Sequence, residues 1–331
     1  MQQNSTLKKL SEILNLSIST VSRALKDHPD ISDKTKTKVK ELAQALDYEP
    51  NSYAIQLRTN KSKVIGILLP SVTNFFYDSV IAAIETKARD FGYSVMMMQS
   101  GDDLETEMAN LKLLKQSRIS GLFASLTIDT KNIEPFLKLN DLDIPVIFLD
   151  RVPDYEPCNK IRFADREASR IAAEALIQKQ KKHVLALFGH PNLSITQKRK
   201  DGFIETYQTK SPQTKLDISF PEHLAPSRIA TLEAFKKKDK PDAVFCMGDT
   251  ILIGVMEAIH QLNIKVPEEV AIIGISNGFI PNMYNPKITY VETSGYKLGL
   301  QSFDRMLACL LDKTDVKEVL VEPRLVEGKS L

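Results

Sequence analysis

The sequence is poor in the features that mark secreted, membrane and metal-binding proteins. Its three cysteines match neither a disulfide framework nor a zinc-ligand pattern, because they are few and far apart (Cys158, Cys246 and Cys309). No apolar run approaches the roughly 18 residues that span a bilayer. The first leucines lie among charged residues rather than in a signal-peptide core. The sequence therefore predicts a cytoplasmic protein with no membrane segment and no bound metal.

Common catalytic motifs are also missing. The chain has no G-x-x-x-x-G-K phosphate loop, no G-x-G-x-x-G fingerprint and no H-E-x-x-H helix. The segment from Gly274 to Gly278 does fit the G-x-S-x-G pattern of hydrolases. That pattern needs a helix after the serine and a histidine later in the chain, whereas a loop follows and all five histidines precede Ser276. The sequence thus predicts a protein that is not an enzyme and needs no cofactor.

The net charge is small, but the charged residues are unevenly distributed along the chain. The net charge is +2, yet residues 1–63 carry four more basic than acidic residues, and the remainder carries two more acidic than basic ones. A basic segment on a nearly neutral body favours a polyanionic partner such as nucleic acid, although an excess of this size also lies within ordinary variation. The length suggests about two or three domains, and 43% hydrophobic residues suffice to form their cores.

The basic segment has the pattern of three short helices. One helix face and the left-handed turn after it are indicated by Leu7, Leu10, Leu14 and Asn15. Ser17 can cap a second helix that runs to about Lys26, and Ser32 can cap a third that ends before Pro50. This order is typical of a helix-turn-helix unit, whose second helix enters the DNA major groove. A small helical bundle with serine caps is the alternative.

The second of these helices begins with side chains that suit DNA. Hydroxyl and guanidinium groups hydrogen-bond to base edges and phosphates. The candidate contacts are therefore Ile18, Ser19, Thr20, Ser22 and Arg23.

The remaining 270 or so residues alternate short apolar strand runs with helical patterns. Such alternation predicts parallel sheets, and because the cycle restarts with a helix near 167–179 it predicts two similar α/β lobes. Ligands of open α/β sheets bind beyond the carboxyl ends of the strands. We therefore expect a small-molecule site in a cleft between the lobes.

Short motifs along the chain also have a familiar order and spacing. In the head they are Thr6-Leu7, Ser17 to Leu25, Ile31-Ser32 and Leu46 to Asn51. In the body they are Lys63 to Ile67, Gly121-Leu122, Ile144 to Val146, Asp150-Arg151, Arg199 to Phe203, Met247 to Asp249, Ile253-Gly254 and Ile272 to Gly274. Together they closely resemble the LacI/GalR family of bacterial transcription regulators. Two departures in the head are tolerable: Ser11 replaces a usual Ala, and Asn15 a frequent Gly.

This resemblance implies a helix-turn-helix head and a periplasmic-binding-protein-like body of two parallel-sheet α/β lobes. The implied division is a head (1–50), a hinge helix and linker (51–61), an N-terminal lobe (62–162 and 294–322) and a C-terminal lobe (163–293 and 323–331). It also implies DNA contacts at Thr6, Ser32, Tyr48 and Asn51. The hinge helix would order on DNA and wedge Leu57 into the minor groove, with Ala54 facing the groove; a plain linker is the alternative.

For the effector, residue types at predicted strand ends supply the candidates. Asp150 could accept hydrogen bonds from two hydroxyls, and Arg199 could donate to vicinal hydroxyls or a carboxylate. An apolar face for a sugar ring or a base could come from Phe75, Phe76 or Phe163. The resemblance implies effector contacts at Ser125, Asp150 and Arg199, and it puts Ser276 where many members have a ligand-binding Asp.

Each candidate also has a structural alternative. Asp150 could pair with Arg151, Arg199 could be a surface charge, and the phenylalanines could be core residues. Asp249 is a further candidate, but for that residue we favour the role of helix N-cap.

Taken together, the sequence predicts a homodimeric regulator of transcription that binds a near-palindromic operator and is expected to repress. Its effector is expected to be a sugar or sugar derivative. A purine or a partner protein as the input, and an architectural DNA-binding protein without ligand control, are the alternatives. No heptad pattern follows the last predicted strand, so we expect a dimer rather than a tetramer.

Overall fold

The computed structural model describes residues 7–48, 62–73, 75–154, 157–312 and 315–331. The chain forms two compact units, Met1–Ser62 and Lys63–Leu331. Within the described residues no helix is long and apolar enough to cross a membrane. The predicted hinge helix and four of the predicted DNA contacts lie outside these residues: Thr6, Asn51, Ala54 and Leu57.

The head contains the three predicted helices, α1 (Leu7–Leu14), α2 (Ile18–Ala24) and α3 (Asp33–Ala45). Ser17 and Ser32 are the N-caps: their hydroxyls accept from the backbone N–H groups of Thr20 at 3.0 Å and Thr35 at 3.3 Å. Asn15 has a φ of 50°, as the turn requires. The helices enclose a small core of Leu10, Val21, Ala24, Val39 and Ala43.

The body contains two six-stranded sheets. The first has the order β11-β5-β4-β3-β1-β2 and consists of β1 (Val64–Leu69), β2 (Ser94–Gln99), β3 (Gly121–Ala124), β4 (Val146–Leu149), β5 (Asn159–Phe163) and β11 (Glu318–Val321). The second has the order β12-β10-β9-β8-β6-β7 and consists of β6 (His183–Leu187), β7 (Lys215–Ser219), β8 (Ala243–Cys246), β9 (Ala271–Ser276), β10 (Thr289–Glu292) and β12 (Arg324–Val326). All pairs are parallel except β10 with β12. The two predicted parallel-sheet lobes are thus confirmed.

Helices cover the faces of both sheets, which explains why the inner strands are apolar throughout. They are α4 (Phe75–Asp90), α5 (Leu104–Gln116), α6 (Glu134–Leu137), α7 (Asp165–Gln178), α8 (Ser194–Lys210), α9 (Leu224–Lys236), α10 (Asp249–Gln261) and α11 (Gly295–Leu311). Helices α4 and α11 pack closely because Gly299 has no side chain: a Cβ there would lie 2.6 Å from the Val80 carbonyl oxygen.

The chain passes between the two lobes three times. It leaves the first sheet after Phe163, returns after Glu292 to α11, and crosses again between Val321 and Arg324. The predicted boundaries at 162, 293 and 322 lie beside these connections. In this arrangement, the carboxyl ends of strands from both sheets line a common cleft.

Candidate functional site

In the head, the predicted DNA contacts on α2 form an accessible surface. Ile18 is 49% exposed despite its apolar side chain, and Ser19 and Arg23 are also exposed. Thr20 and Ser22 are half-buried. Among the described residues, the ion pair of Arg23 is a loose one, with its Nη1 4.0 Å from Asp30 Oδ2. Its guanidinium is therefore available for another anion.

Some of the hydroxyls in the head also have local roles. The Ser17 hydroxyl lies 2.8 Å from the hydroxyls of both Ser19 and Thr20. Ser32 is exposed at the start of α3, which it caps. Tyr48 packs against the head core, and burial raises the pKa of its phenol. The serines therefore cap helices, as they would in a simple helical bundle, and they do so within a helix-turn-helix arrangement.

In the body, a cavity of about 560 Å³ lies between the two lobes. Its wall on the first lobe includes Phe76, Tyr77, Asp102, Ile128, Asp150 and Arg151. Its wall on the second lobe includes His190, Leu193, Arg199, Glu222, Met247, Asp249, Ser276 and Asn277. Most of these residues follow the carboxyl ends of strands, where the sequence predicted a ligand site.

Arg199 lies at the back of this cavity and is not a surface charge. Its Nε donates to Asp165 Oδ1 at 2.8 Å, and its Nη1 donates to the Met247 carbonyl oxygen at 2.8 Å. Burial raises the pKa of Asp165, and the nearby guanidinium opposes that shift. These two bonds fix the plane of the guanidinium and leave Nη2 with no hydrogen bond to any described residue.

Asp150 occupies the first-lobe wall in a left-handed backbone conformation, with φ 59°. Its Oδ2 accepts from the Tyr77 hydroxyl at 2.7 Å, and the same hydroxyl lies 2.9 Å from Ser125 Oγ. Burial, together with the nearby Asp150 carboxylate, raises the pKa of Tyr77 well above its usual value. Arg151 pairs with Asp102 instead of Asp150, so the expected alternative of an Asp150–Arg151 ion pair is not formed.

Asp249 is not the helix cap that we favoured from the sequence. The N-cap of α10 is Gly248, and Asp249 is the first residue of the helix. Its carboxylate accepts from the Ser276 hydroxyl and from the backbone N–H of Asn277. Burial raises the pKa of Asp249 to about 6, while those donors and Arg199 oppose the shift. The glycine leaves this carboxylate free to turn toward the cavity.

The aromatic candidates separate into three environments. Phe76 lines the cavity and packs edge-on against Phe163, with 5.9 Å between ring centroids. Phe163 is 1% exposed in the core of the first lobe and does not reach the cavity. Phe75 lies outside the cavity and stacks on Phe279 of the other lobe at 4.9 Å.

Ser125 and Phe163 are therefore corrected as direct effector contacts. Ser125 is 1% exposed, and its hydroxyl is bonded to Tyr77 behind the wall. The physical reason is strand alternation, which turns successive side chains to opposite faces. Phe75 is 44% exposed and its ring contacts Phe279 of the opposite lobe, so its effector contact stays a prediction.

Several residues of the cavity were not predicted from the sequence: Tyr77, Asp102, His190, Glu222 and Asn277. Asp165, which holds Arg199 from behind, was not predicted either. The one usable signal was position, because Tyr77 directly follows the two phenylalanines and Asp165 precedes a predicted helix. The pairing of His190 Nε2 with Glu222 Oε1 at 3.4 Å joins loops that no local pattern connects. No group of ligating side chains in the described residues could hold a metal ion.

Comparison with known proteins agrees with this architecture. Residues 7–51 match the family model described as bacterial regulatory proteins, lacI family, and residues 62–327 match periplasmic binding proteins and sugar binding domain of LacI family. The HTH-type transcriptional repressor PurR of Vibrio atlanticus is 25% identical over 98% of this chain and 98% of its own. The ribose operon repressor of Halalkalibacterium halodurans is 26% identical over 93% of this chain and 91% of its own.

The fold is also similar to a solved structure. The lac repressor dimer bound to operator and the anti-inducer ONPF superposes with a TM-score of 0.88, 24% identity and 99% coverage of both chains.

A helix-turn-helix head joined to a two-lobed body with an interlobe cavity defines a DNA-binding transcription regulator with an effector-binding domain. The chain belongs to the LacI family of bacterial regulatory proteins.

Proposed function

We propose that this protein is a dimeric transcriptional repressor whose affinity for a near-palindromic operator is set by a sugar or sugar derivative bound between its lobes. The observation that carries the proposal is the interlobe cavity, where the polar groups of Asp150, Arg199 and Asp249 converge from both lobes. Carboxylate and guanidinium groups at fixed positions suit the vicinal hydroxyls of a sugar. The proposal involves no catalytic step and places the protein in the cytoplasm, with the DNA.

In the head, Ile18, Ser19, Thr20, Ser22 and Arg23 would read the operator, with Thr6, Ser32, Tyr48 and Asn51 positioning the head on it. A two-fold dimer matches a two-fold operator, so each head would bind one half-site. The hinge would then place Leu57 and Ala54 at the minor groove between the half-sites.

In the body, Phe76 would cover one face of the sugar ring while Asp150, Arg199, Asp249 and Ser276 bind its hydroxyls. Closure of the lobes on the ligand would change the state of the hinges. Coupling of this kind is reciprocal between ligand and operator and is typically about 1–3 kcal/mol.

A thermal-shift screen of sugars, sugar derivatives and nucleobases on the full chain tests the effector part of this proposal. A ligand that binds only the folded state raises the melting temperature. Each hit is then added to an operator-binding assay, with the operator selected from random DNA. A hit that raises the melting temperature and changes operator affinity supports the proposal. Hits that never change operator affinity contradict it.

A purine effector is the second candidate. It is favoured by the PurR relatives, and by the aromatic rings of Phe76 and Tyr77 on one wall, which could stack on a base. The same screen separates the two candidates, because it contains both classes of ligand.

A further inference from the structure

We propose that the cleft accepts an uncharged or cationic, hydroxyl-bearing effector and excludes phosphorylated and carboxylated ones. This inference rests on the proposed function, because it concerns the ligand of the same cavity. It follows from which charged groups line the cavity and which of them are already neutralised.

The two arginine side chains of the cavity are already paired with carboxylates of the protein. Of the described residues that line it, only Arg151 and Arg199 are permanently cationic. Arg199 is held by Asp165 at 2.8 Å and by the Met247 carbonyl oxygen. Arg151 is held by Asp102. An incoming phosphate or carboxylate would have to share each guanidinium with a carboxylate of the protein.

The negative charges, by contrast, are not all neutralised. Asp150 accepts from the neutral hydroxyl of Tyr77 at 2.7 Å, and Asp249 accepts from the neutral hydroxyl of Ser276. Neither carboxylate has an ion pair with a described lysine or arginine. Glu222 adds a third carboxylate to the wall, with His190 3.4 Å away. His223 is the other imidazole of the wall. With both imidazoles neutral, the four carboxylates of the wall outnumber its two guanidinium groups.

Ser276 contributes to this balance in a specific way. Its hydroxyl donates a hydrogen bond to the Asp249 carboxylate. The serine adds no positive charge, so it does not neutralise the Asp249 carboxylate. The second-lobe wall keeps its preference for hydrogen-bond donors.

This balance has a direct consequence for selectivity. An anion that enters loses its hydration and faces like charges at low dielectric, where repulsion is stronger than in water. A ligand hydroxyl or ammonium group donates to the same carboxylates and forms charge-assisted hydrogen bonds. The cleft discriminates by repelling the wrong ligand as well as by binding the right one.

The test compares matched ligand pairs on the full chain by calorimetry at about pH 7.5: ribose and ribose 5-phosphate, glucose and glucose 6-phosphate, and adenosine and its monophosphate. In any pair that binds, we expect the unphosphorylated ligand to bind at least about tenfold more tightly. The reason is that the carboxylates of the wall repel only the phosphorylated ligand. A phosphorylated member that binds equally well or better overturns the inference and leaves the proposed function intact. If no pair binds and no ligand of the whole effector screen binds either, the result contradicts the proposed function. The present inference then fails as well, because it rests on that function.

Asp150→Asn and Asp249→Asn provide the second measurement, with the exposed Asp90→Asn as the matched control. Each cavity variant removes one negative charge with little change of shape. The affinity for the unphosphorylated ligand divided by the affinity for the phosphorylated one should therefore decrease severalfold. Asp90→Asn should keep the wild-type ratio. Circular dichroism verifies that each variant is folded. If this ratio is unchanged in both folded cavity variants, the negative charge of the wall does not exclude the phosphorylated ligand. That holds even if the wild type binds the unphosphorylated ligand more tightly.

Discussion

Arg199 Nε lies 2.8 Å from Asp165 Oδ1, and the two side chains are only 8% and 3% exposed. This ion pair joins the first turn of α7 to the second turn of α8, and the guanidinium lines the cavity. Because the pair is almost fully desolvated, each charge depends on the other for compensation. The same contact therefore contributes both to the fold of the second lobe and to the shape of the effector site.

Asp165→Asn should destabilise the protein strongly. The substitution leaves the Arg199 guanidinium buried without a counter-charge, and breaking a buried pair in this way typically costs about 3–5 kcal/mol. Urea unfolding of the full chain measures the loss. Glu167→Gln, which breaks an exposed pair with Arg170 on the same helix, should cost no more than about 1 kcal/mol. Equal losses in the two variants would mean that Asp165 does not compensate a buried charge.

Asp249→Asn should stabilise the protein above about pH 6 and have little effect near pH 4. Burial raises the folded pKa of Asp249 to about 6, whereas an unfolded Asp titrates near about 3.9. The folded state therefore holds the proton more tightly, and wild-type stability falls as the pH rises through this window, by at most about 2–3 kcal/mol. The difference in unfolding free energy between the variant and the wild type, measured from about pH 4 to 7.5, reports this group alone. A difference independent of pH would contradict the assignment.

Phe279→Ala should weaken effector binding without unfolding either lobe. The Phe75 and Phe279 rings stack across the lobes at 4.9 Å, and Asn277 Nδ2 donates to the Phe75 carbonyl oxygen at 2.8 Å. Such a ring pair contributes about 0.5–1.5 kcal/mol beyond its buried area. A double-mutant cycle of Phe75→Ala and Phe279→Ala, read by effector calorimetry, should yield a coupling of that size. If the losses of binding free energy in the two single variants add up to the loss in the double variant, contact between the two rings does not contribute to effector binding.

Arg23→Ala should weaken operator binding and reduce its salt dependence. Neutralised phosphates set the slope of affinity against salt, and the loss of one contact lowers that slope by about 1 per head. Arg89→Ala removes a similarly exposed arginine from the body and should leave both quantities unchanged. Electrophoretic mobility shifts at several salt concentrations measure them. An Arg23 variant with the wild-type slope and affinity would exclude a DNA contact by this side chain.

Leu57→Ala should abolish the operator bend while the body remains folded. Insertion of an apolar side chain into the minor groove unstacks a base step and kinks the duplex, whereas alanine is too short to do so. A circular-permutation gel assay measures the bend angle directly. The same bend in the variant and the wild type would rule out the wedge.

Local features of the fold were readable from the sequence. Leucine spacing together with Ser17 and Ser32 predicted the helices of the head, and the runs from Val64 and from Ala243 predicted buried strands of parallel sheets. These predictions succeed because helix caps and strand periodicity depend on neighbouring residues. Asp150 and Arg199 both line the cavity. The end of a strand, which the sequence reveals, explains this position for Asp150, whereas Arg199 lies within α8.

The role of Asp249 depends on a residue far away in the chain, and the N-cap predicted for it was wrong. An aspartate at the start of a helix is a frequent cap, and nothing local distinguishes a carboxylate that caps from one that turns away. Its actual partner, Ser276, is 27 residues later in the chain. In the same way, Ser125 and Phe163 follow or lie within strands that end at the cavity, but they face into the lobe.

The sequence by itself determined the family, the helix-turn-helix head, the two α/β lobes and the edge of the sheets where a ligand binds. Only the tertiary structure decided which charges of that edge are neutralised, namely Arg199 by Asp165 and Arg151 by Asp102, and which keep their charge, such as Asp150 beside the neutral Tyr77 hydroxyl. These partners are 34, 49 and 73 residues apart in the chain, respectively. The charge available to a ligand is the balance of such distant pairs, and it exists only once folding has brought their side chains together.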